Sequence, residues 1–158
     1  MNPSLGVVLD VNIWLAAVLG ADSEYPYLAK VPPQTPNASA DVVSLALDGE
    51  LFKVFISPHV INHVAKVLTD QGLSVSATAS VLESITDIVH FSSGSVVEPQ
   101  RNALESRDFE DNYILDLAIS TGSSVIVTLD REFLAMSPWR NRLILHPRDF
   151  VANLLSRR

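Results

Sequence analysis

Two aspartates in this chain directly follow short apolar runs, and each has a polar partner two positions away. Asp10 is followed by Asn12, and Asp130 is preceded by Thr128. If both apolar runs are parallel strands of one sheet, their carboxyl ends meet at one edge, which is where ligands bind in such folds. Carboxylates gathered there repel one another unless a cation lies between them, and the usual cation is a hard one such as Mg²⁺ or Mn²⁺.

Each of these residues also has an ordinary structural interpretation. An aspartate after a strand can be a turn residue or the cap of the next helix. Asn12 can orient Asp10 or a metal-bound water, or it can cap a helix itself. The hydroxyl of Thr128 lies on the same strand face as Asp130. It can serve the same pocket or bond a neighbouring loop.

Three more aspartates lie on a predicted helix just before the strand that leads to Asp130. Asp108 and Asp111 are spaced to share one helical face. They either join the strand-end aspartates or stabilise the helix start through its dipole, by about 0.3–1 kcal/mol each. Asp116 lies about 140° round the helix from Asp111. We therefore expect Asp116 to face solvent or to support the site from behind.

The elements that would position these residues alternate between strand-like runs and helical patterns. This alternation predicts βαβ units and an α/β fold with a mostly parallel sheet. The predicted strands cover residues 6–10, 52–56, 88–91, 125–129 and 142–146. The predicted helices cover residues 12–19, 39–48, 58–69, 74–86, 109–121 and 149–157. Ser57 and Asp108 are the predicted N-caps of two of them, and glycines at 49, 72 and 122 are predicted to end three.

Length and composition restrict the class of protein. The chain has 158 residues, which suggests a single domain over 1–158, and it has no cysteine for a disulfide or a zinc–thiolate site. The net charge is −7, which argues against broad electrostatic binding of nucleic acid, although a bound metal can neutralise an acidic pocket locally. Asp10 interrupts the only early apolar run, and no run has the length of a membrane span. We expect a cytoplasmic protein without a membrane segment.

Taken together, the motifs resemble the PIN domain family over nearly the whole chain. The resemblance rests on the order of the strand with Asp10 and Asn12, the helix with Asp108 and Asp111, Val127–Asp130, and the closing Leu143–Phe150. It implies a three-layer α/β/α sandwich and a metal-dependent ribonuclease of the VapC toxin type. By resemblance, Asp10, Asp111 and Asp130 bind Mg²⁺ or Mn²⁺, with Asn12 and Thr128 supporting them. It also implies an RNA substrate, a cognate antitoxin and a homodimer.

One position departs from the pattern of that family. The family usually carries a glutamate on the helix after the second strand, where this chain has His63, or Asn62 if the register shifts by one. No acid occurs between Glu50 and Asp70. His63 can ligate a transition metal and would favour Mn²⁺ over Mg²⁺, or it can contact a phosphate when protonated. Alternatively it is an ordinary histidine and an acid has been lost.

Two segments have open roles. A proline-rich loop insertion at about 20–37 carries Tyr25 and Tyr27, which could stack on bases. The loop could instead be a lid that binds a partner, or a tolerated surface insertion. The basic end at 157–158 is a phosphate contact or a solvated tail.

The predicted function is a metal-dependent endoribonuclease acting on single-stranded or structured RNA. One alternative is a catalytically impaired PIN-like module that binds RNA or protein, favoured by His63. Another is a phosphotransfer or phosphatase domain with Asp10 as the nucleophile.

Overall fold

The computed structural model describes residues 5–19 and 35–156, and these form four strands and seven helices. The strands are β1 (Gly6–Leu9), β2 (Lys53–Phe55), β3 (Val125–Val127) and β4 (Leu143–Leu145). The helices are α1 (Val11–Leu19), α2 (Ala38–Ala46), α3 (Pro58–Asp70), α4 (Val75–Phe91), α5 (Phe109–Thr121), α6 (Arg131–Leu134) and α7 (Pro147–Ser156).

The strands form one parallel sheet in the order β2-β1-β3-β4, so β1 and β3 lie in its centre. Val8 of β1 pairs with Phe55 of β2 on one side and with Ile126 of β3 on the other. Every residue of β1 and β3 is buried, as expected for strands covered by helices on both faces. The predicted α/β class and the three-layer α/β/α arrangement with a central parallel sheet are confirmed.

The sheet brings the ends of its two central strands to one edge. Just beyond β1 and β3, the amide of Asp10 donates to the carbonyl of Val127 at 2.9 Å. The amide of Thr128 likewise donates to the carbonyl of Leu145 at 3.0 Å. These bonds fix the backbone at both places where aspartates follow the central strands.

Local capping signals start and end two of the site helices as predicted. The Ser57 side chain accepts a hydrogen bond from the amide of Val60, and Pro58 occupies the first turn of α3. Asp108 is the N-cap of α5, and Gly122 ends that helix with a left-handed φ of 64°. Both signals act within one helical turn, which is why the sequence alone predicts them.

The prediction for residues 74–91 is wrong in its second half. The strand expected at 88–91 is the last turn of α4, which continues without a break from Val75 to Phe91. Ile85 and Val89 are buried four residues apart, so the apolar residues of this run follow the helical period. A short apolar run cannot be assigned by periodicity alone, and packing against the core decides it.

Residues 92–106, predicted to be irregular, contain a single parallel bridge between Val96 and Ile56. This bridge extends the sheet beyond β2. The backbone approaches closely here, since a Cβ atom on Gly94 would lie 1.7 Å from the carbonyl oxygen of Val54. Only glycine fits this position without displacing the strand.

The remaining elements agree with the expected order, with small differences in length. The last two strands are shorter than the predicted 125–129 and 142–146, and the four-residue helix α6 has too few residues to show a periodic pattern. The predicted loop at 20–37 with Tyr25 and Tyr27 falls outside the described residues up to position 34, as does the basic end at 157–158. Among the described residues, no helix has both the length and the apolar character to cross a membrane.

Candidate metal centre

Asp10 lies at the end of β1 with both carboxylate oxygens hydrogen-bonded. One oxygen accepts from the amide of Val11 at 2.7 Å, and the other accepts from the hydroxyl of Thr128 at 2.7 Å. The Nδ2 atom of Asn12 lies 3.3 Å from the second oxygen. Asp10 is 8 % exposed, so this carboxylate is buried as well as hydrogen-bonded at the edge of the sheet.

Asn12 and Thr128 connect the ends of the two central strands. The Asn12 amide group donates to the Thr128 hydroxyl at 3.3 Å and accepts from the backbone amide of Leu129 at 3.2 Å. The same hydroxyl accepts from the amide of Asp130 at 3.1 Å. These bonds hold Asp10 and Asp130 in a fixed relation across two strands that are more than a hundred residues apart in sequence.

The first turn of α5 places its acids against the same edge. Asp108, Asp111 and Asp130 each offer a carboxylate oxygen, and these atoms lie within 4.8 Å of one another. Asp111 is 5 % exposed and accepts a hydrogen bond from the hydroxyl of Ser106 at 3.0 Å. Asp108 and Asp130 also accept amide hydrogen bonds as N-caps of α5 and α6. Asp108 and Asp130 therefore cap helices and also belong to the acidic cluster.

A pocket of about 250 Å³ lies between β1, α3 and α5, and five carboxylates line it. They are Asp10, Asp108, Glu110, Asp111 and Asp130. Two histidines of α3, His59 and His63, line its opposite wall. No lysine or arginine lines this pocket among the described residues. Carboxylate oxygens without a fixed cationic side chain are the donor set that a hard divalent cation requires.

The pKa values of two pocket carboxylates, those of Asp111 and Asp10, agree with a cation site in this pocket. Burial, together with the charges of the neighbouring aspartates, raises the pKa of Asp111 to about 7, while the hydrogen bond from Ser106 opposes the increase. Burial also raises the pKa of Asp10 above its ordinary value, while the hydrogen bonds from Thr128 and Val11 oppose the increase. Both carboxylates are thus destabilised in their charged forms, which a bound cation would reverse.

The family assignment comes from comparison with known proteins. A family model described as PIN domain matches residues 6–132. The chain belongs to the PIN domain family. A search of curated proteins found no match to the chain. PIN domains are generally nucleases that depend on divalent metals, and all five carboxylates of the pocket lie inside the matched range.

Two predicted supporting residues of this PIN domain do not line the pocket: Thr128, which reaches it only through Asp10 and Asn12, and Asp116. Asp116 is fully buried, and its carboxylate accepts hydrogen bonds from Arg101 Nε at 2.9 Å and from the amides of Asn102 and Ala103 at 2.9 and 2.7 Å. The expectation that it faces solvent is wrong. Its position on α5 turns it towards residues 101–103, so it anchors that segment.

The α3 helix of this PIN domain carries His63 on the pocket wall, whereas Asn62 is exposed and does not line this pocket. The chain does have an acid opposite His63, and it comes from α5. Glu110 Oε2 lies 3.6 Å from His63 Nδ1 and 2.5 Å from His59 Nε2.

Sequence reasoning missed Glu110 and His59 as pocket residues. The available signals were local: Glu110 directly precedes Asp111, and His59 lies four residues before His63 on the same helical face. What could not be read from the sequence is that α3 and α5 face each other across the pocket.

Proposed function

We propose that this chain is a divalent-metal-dependent endoribonuclease and the toxin of a toxin–antitoxin pair. In this proposal residues 1–158 form one cytoplasmic domain with an insertion at 20–37. The observation that carries it is the convergence of Asp10, Asp111 and Asp130 in the acidic pocket of a PIN domain. Three of the five pocket carboxylates, those of Asp108, Asp111 and Asp130, have oxygen atoms within 4.8 Å of one another. A pocket so acidic repels a phosphate unless it holds a cation.

The residues take distinct roles. Asp10, Asp111 and Asp130 would hold Mg²⁺ or Mn²⁺, and Asp108 would add a carboxylate oxygen beside them. Asn12 and Thr128 position Asp10 through the hydrogen bonds described above. A divalent ion held by these residues would lower the pKa of a bound water, making it a nucleophile, and would supply positive charge at the scissile phosphate.

The substrate class follows from what such a pocket can reach. RNA that is single-stranded or looped exposes its bases as well as its backbone to a pocket of about 250 Å³ at the edge of a sheet, whereas a regular duplex keeps its bases paired and stacked. The phosphotransfer alternative is not favoured. It needs a basic side chain to stabilise a phosphoryl intermediate on Asp10, and no lysine or arginine lines this pocket among the described residues.

A second candidate function has one specific observation in its favour. His63 lies on the pocket wall, which supports aligning it, rather than Asn62, with the glutamate that the PIN family usually has on this helix. If that glutamate is essential, the chain is a catalytically impaired module that binds RNA or protein without cutting it. The two functions differ in whether divalent metal produces cleavage.

The experiment compares cleavage of a mixed-sequence single-stranded RNA in Mg²⁺, in Mn²⁺ and in EDTA. We expect cleavage only with metal, and at least a hundredfold loss in Asp10→Asn, Asp111→Asn and Asp130→Asn. Asp87→Asn is the matched control because Asp87 is an exposed acid of α4, outside the pocket. Binding of RNA without cleavage by any metal form would support the impaired module, and cleavage in EDTA would contradict both.

The biological part of the proposal needs separate tests. Induced expression of the wild-type chain in bacteria should arrest growth, while the folded Asp111→Asn variant should not. A cognate antitoxin protein should restore growth by covering the acidic pocket. We also expect a homodimer, so sedimentation that shows only monomer at micromolar concentration would contradict that part.

A further inference from the structure

A second group of potential metal ligands lies at the rim of the acidic pocket and contains none of the residues assigned to the Mg²⁺ or Mn²⁺ site. His59 and His63 are one helical turn apart on the same face of α3, and Glu110 reaches them from the first turn of α5. One ligand atom from each of the three lies within 4.8 Å of the others. This arrangement joins two helices through three side chains that can all bind metal.

The chemistry of this group differs from that of the aspartate cluster. Two imidazoles and one carboxylate suit late first-row ions such as Zn²⁺, whereas Mg²⁺ prefers oxygen ligands only. Histidines spaced four residues apart on a helix place both rings on one side of an ion. Three protein ligands also leave a coordination position for water or a substrate oxygen.

The His59 ring is held in place before any ion binds. The His59 ring stacks on the Tyr113 ring with centroids 3.7 Å apart and an interplanar angle of 3°. The Arg101 guanidinium also lies over the Tyr113 ring, 3.1 Å from its centroid, and the buried Asp116 holds Arg101. Groups that fix the orientation of a metal-binding histidine commonly change metal affinity 10–100-fold. The stack therefore gives Asp116 and Arg101 a positioning role outside the acidic pocket.

The distances and exposure permit an ion to enter. The side chains of His59, His63 and Glu110 are 32 %, 35 % and 46 % exposed. Around a tetrahedral Zn²⁺ with bonds of about 2.0–2.1 Å, ligand atoms lie about 3.3 Å apart. The His63–Glu110 distance of 3.6 Å is already close to that value, and the His59–Glu110 contact of 2.5 Å would open by under about 1 Å.

We propose that His59, His63 and Glu110 form a Zn²⁺-class transition-metal site at the rim of the acidic pocket. This site does not require the chain to be a nuclease. When occupied, it places a cation between α3 and α5 next to the carboxylates that line the same pocket.

The test is isothermal titration calorimetry, in which ZnCl₂ alone is added to the chelator-treated full chain. We expect His59→Ala, His63→Ala and Glu110→Gln each to weaken Zn²⁺ binding at least tenfold. His90→Ala is the matched control, because it removes an exposed imidazole from the end of α4. Circular dichroism checks that each variant is folded. Co²⁺ substitution adds a visible d–d absorption band that distinguishes four- or five-coordinate Co²⁺ from the hexa-aqua ion, and this band should be lost with either histidine of α3.

A second arm separates this site from the proposed nuclease centre. The Asp111→Asn variant should lose its response to Mg²⁺ and keep its Zn²⁺ binding within about threefold, since Asp111 is not a ligand of the rim site. Unchanged Zn²⁺ affinity in His59→Ala and His63→Ala would overturn the proposal and leave the His59–Glu110 contact as an ordinary ion pair. Equal loss of Zn²⁺ binding in the Asp111 variant, with no loss in the α3 variants, would place the ion in the aspartate cluster instead.

Discussion

Removing the charge of Asp111 should stabilise the metal-free protein at neutral and alkaline pH. Burial and like charges raise the pKa of this carboxyl from its ordinary value of 3.8 to about 7. Between those two values the folded protein binds a proton at Asp111 that the unfolded chain releases. The free energy of unfolding therefore decreases as the pH rises through this range and levels off above pH 7. Asp111→Asn removes this dependence and keeps an oxygen that can accept from Ser106.

The magnitude follows from the size of the pKa change. One unit corresponds to about 1.36 kcal/mol, so the change in the pKa of Asp111 sets an upper limit of about 4 kcal/mol. The pocket opens to solvent, which screens the charges, and we expect a stabilisation of about 1–2 kcal/mol at pH 8. Burial is the largest cause of the raised pKa of Asp111, ahead of the like charges. Most of the gain should therefore remain in 0.5 M NaCl.

The assay is urea unfolding of the wild type and Asp111→Asn at several pH values between 5 and 8.5, in EDTA and then in Mg²⁺. In EDTA the advantage of the variant should increase with pH up to about 7. In Mg²⁺ the order should reverse, because a ligand at one hundred times its Kd stabilises the wild type by about 2.7 kcal/mol. Asp87→Asn should follow the wild type throughout. A wild type that is more stable than Asp111→Asn in EDTA at pH 8 would refute the reasoning.

Four further substitutions test hydrogen bonding at the site and the packing of the fold. Thr128→Val removes the 2.7 Å hydrogen bond to Asp10, and we expect the free energy of unfolding in urea to decrease by about 1–3 kcal/mol. An unchanged free energy of unfolding would contradict the role given to this bond. Asp116→Ala leaves the amides and the arginine that it binds without a buried acceptor, so unfolding should become easier by about 3–5 kcal/mol, and a loss below 1 kcal/mol would count against this anchor. Gly94→Ala places a Cβ against a backbone carbonyl at 1.7 Å and should cost more than about 3 kcal/mol, whereas Gly72→Ala, with a φ of 95° but open space, should cost about 1–2 kcal/mol. Similar thermal midpoints for the two glycine variants would show that the close approach is not essential.

The sequence by itself determined the features that depend on interactions between residues close together in the chain. The caps at Ser57 and Asp108 and the end of α5 at Gly122 depend on hydrogen bonds and backbone angles within one turn. The positions of Asp10 and Asp130 after apolar runs also follow from local pattern, because a parallel sheet gathers the carboxyl ends of its strands. These signals were sufficient to predict the α/β class and to place Asp10 and Asp130 at one edge of the sheet, whereas Asp111 was named as a metal-binding acid only through the resemblance to the PIN family.

The tertiary structure decided what depends on packing between distant segments. Residues 88–91 continue α4 because Val89 is buried in the core, while a single bridge at Val96 occupies the edge of the sheet. Asp116 binds residues 101–103 because that segment folds back over α5. Glu110 meets His59 because α3 and α5 face each other across the pocket, and a contact between residues 51 positions apart leaves no periodic signal in the sequence.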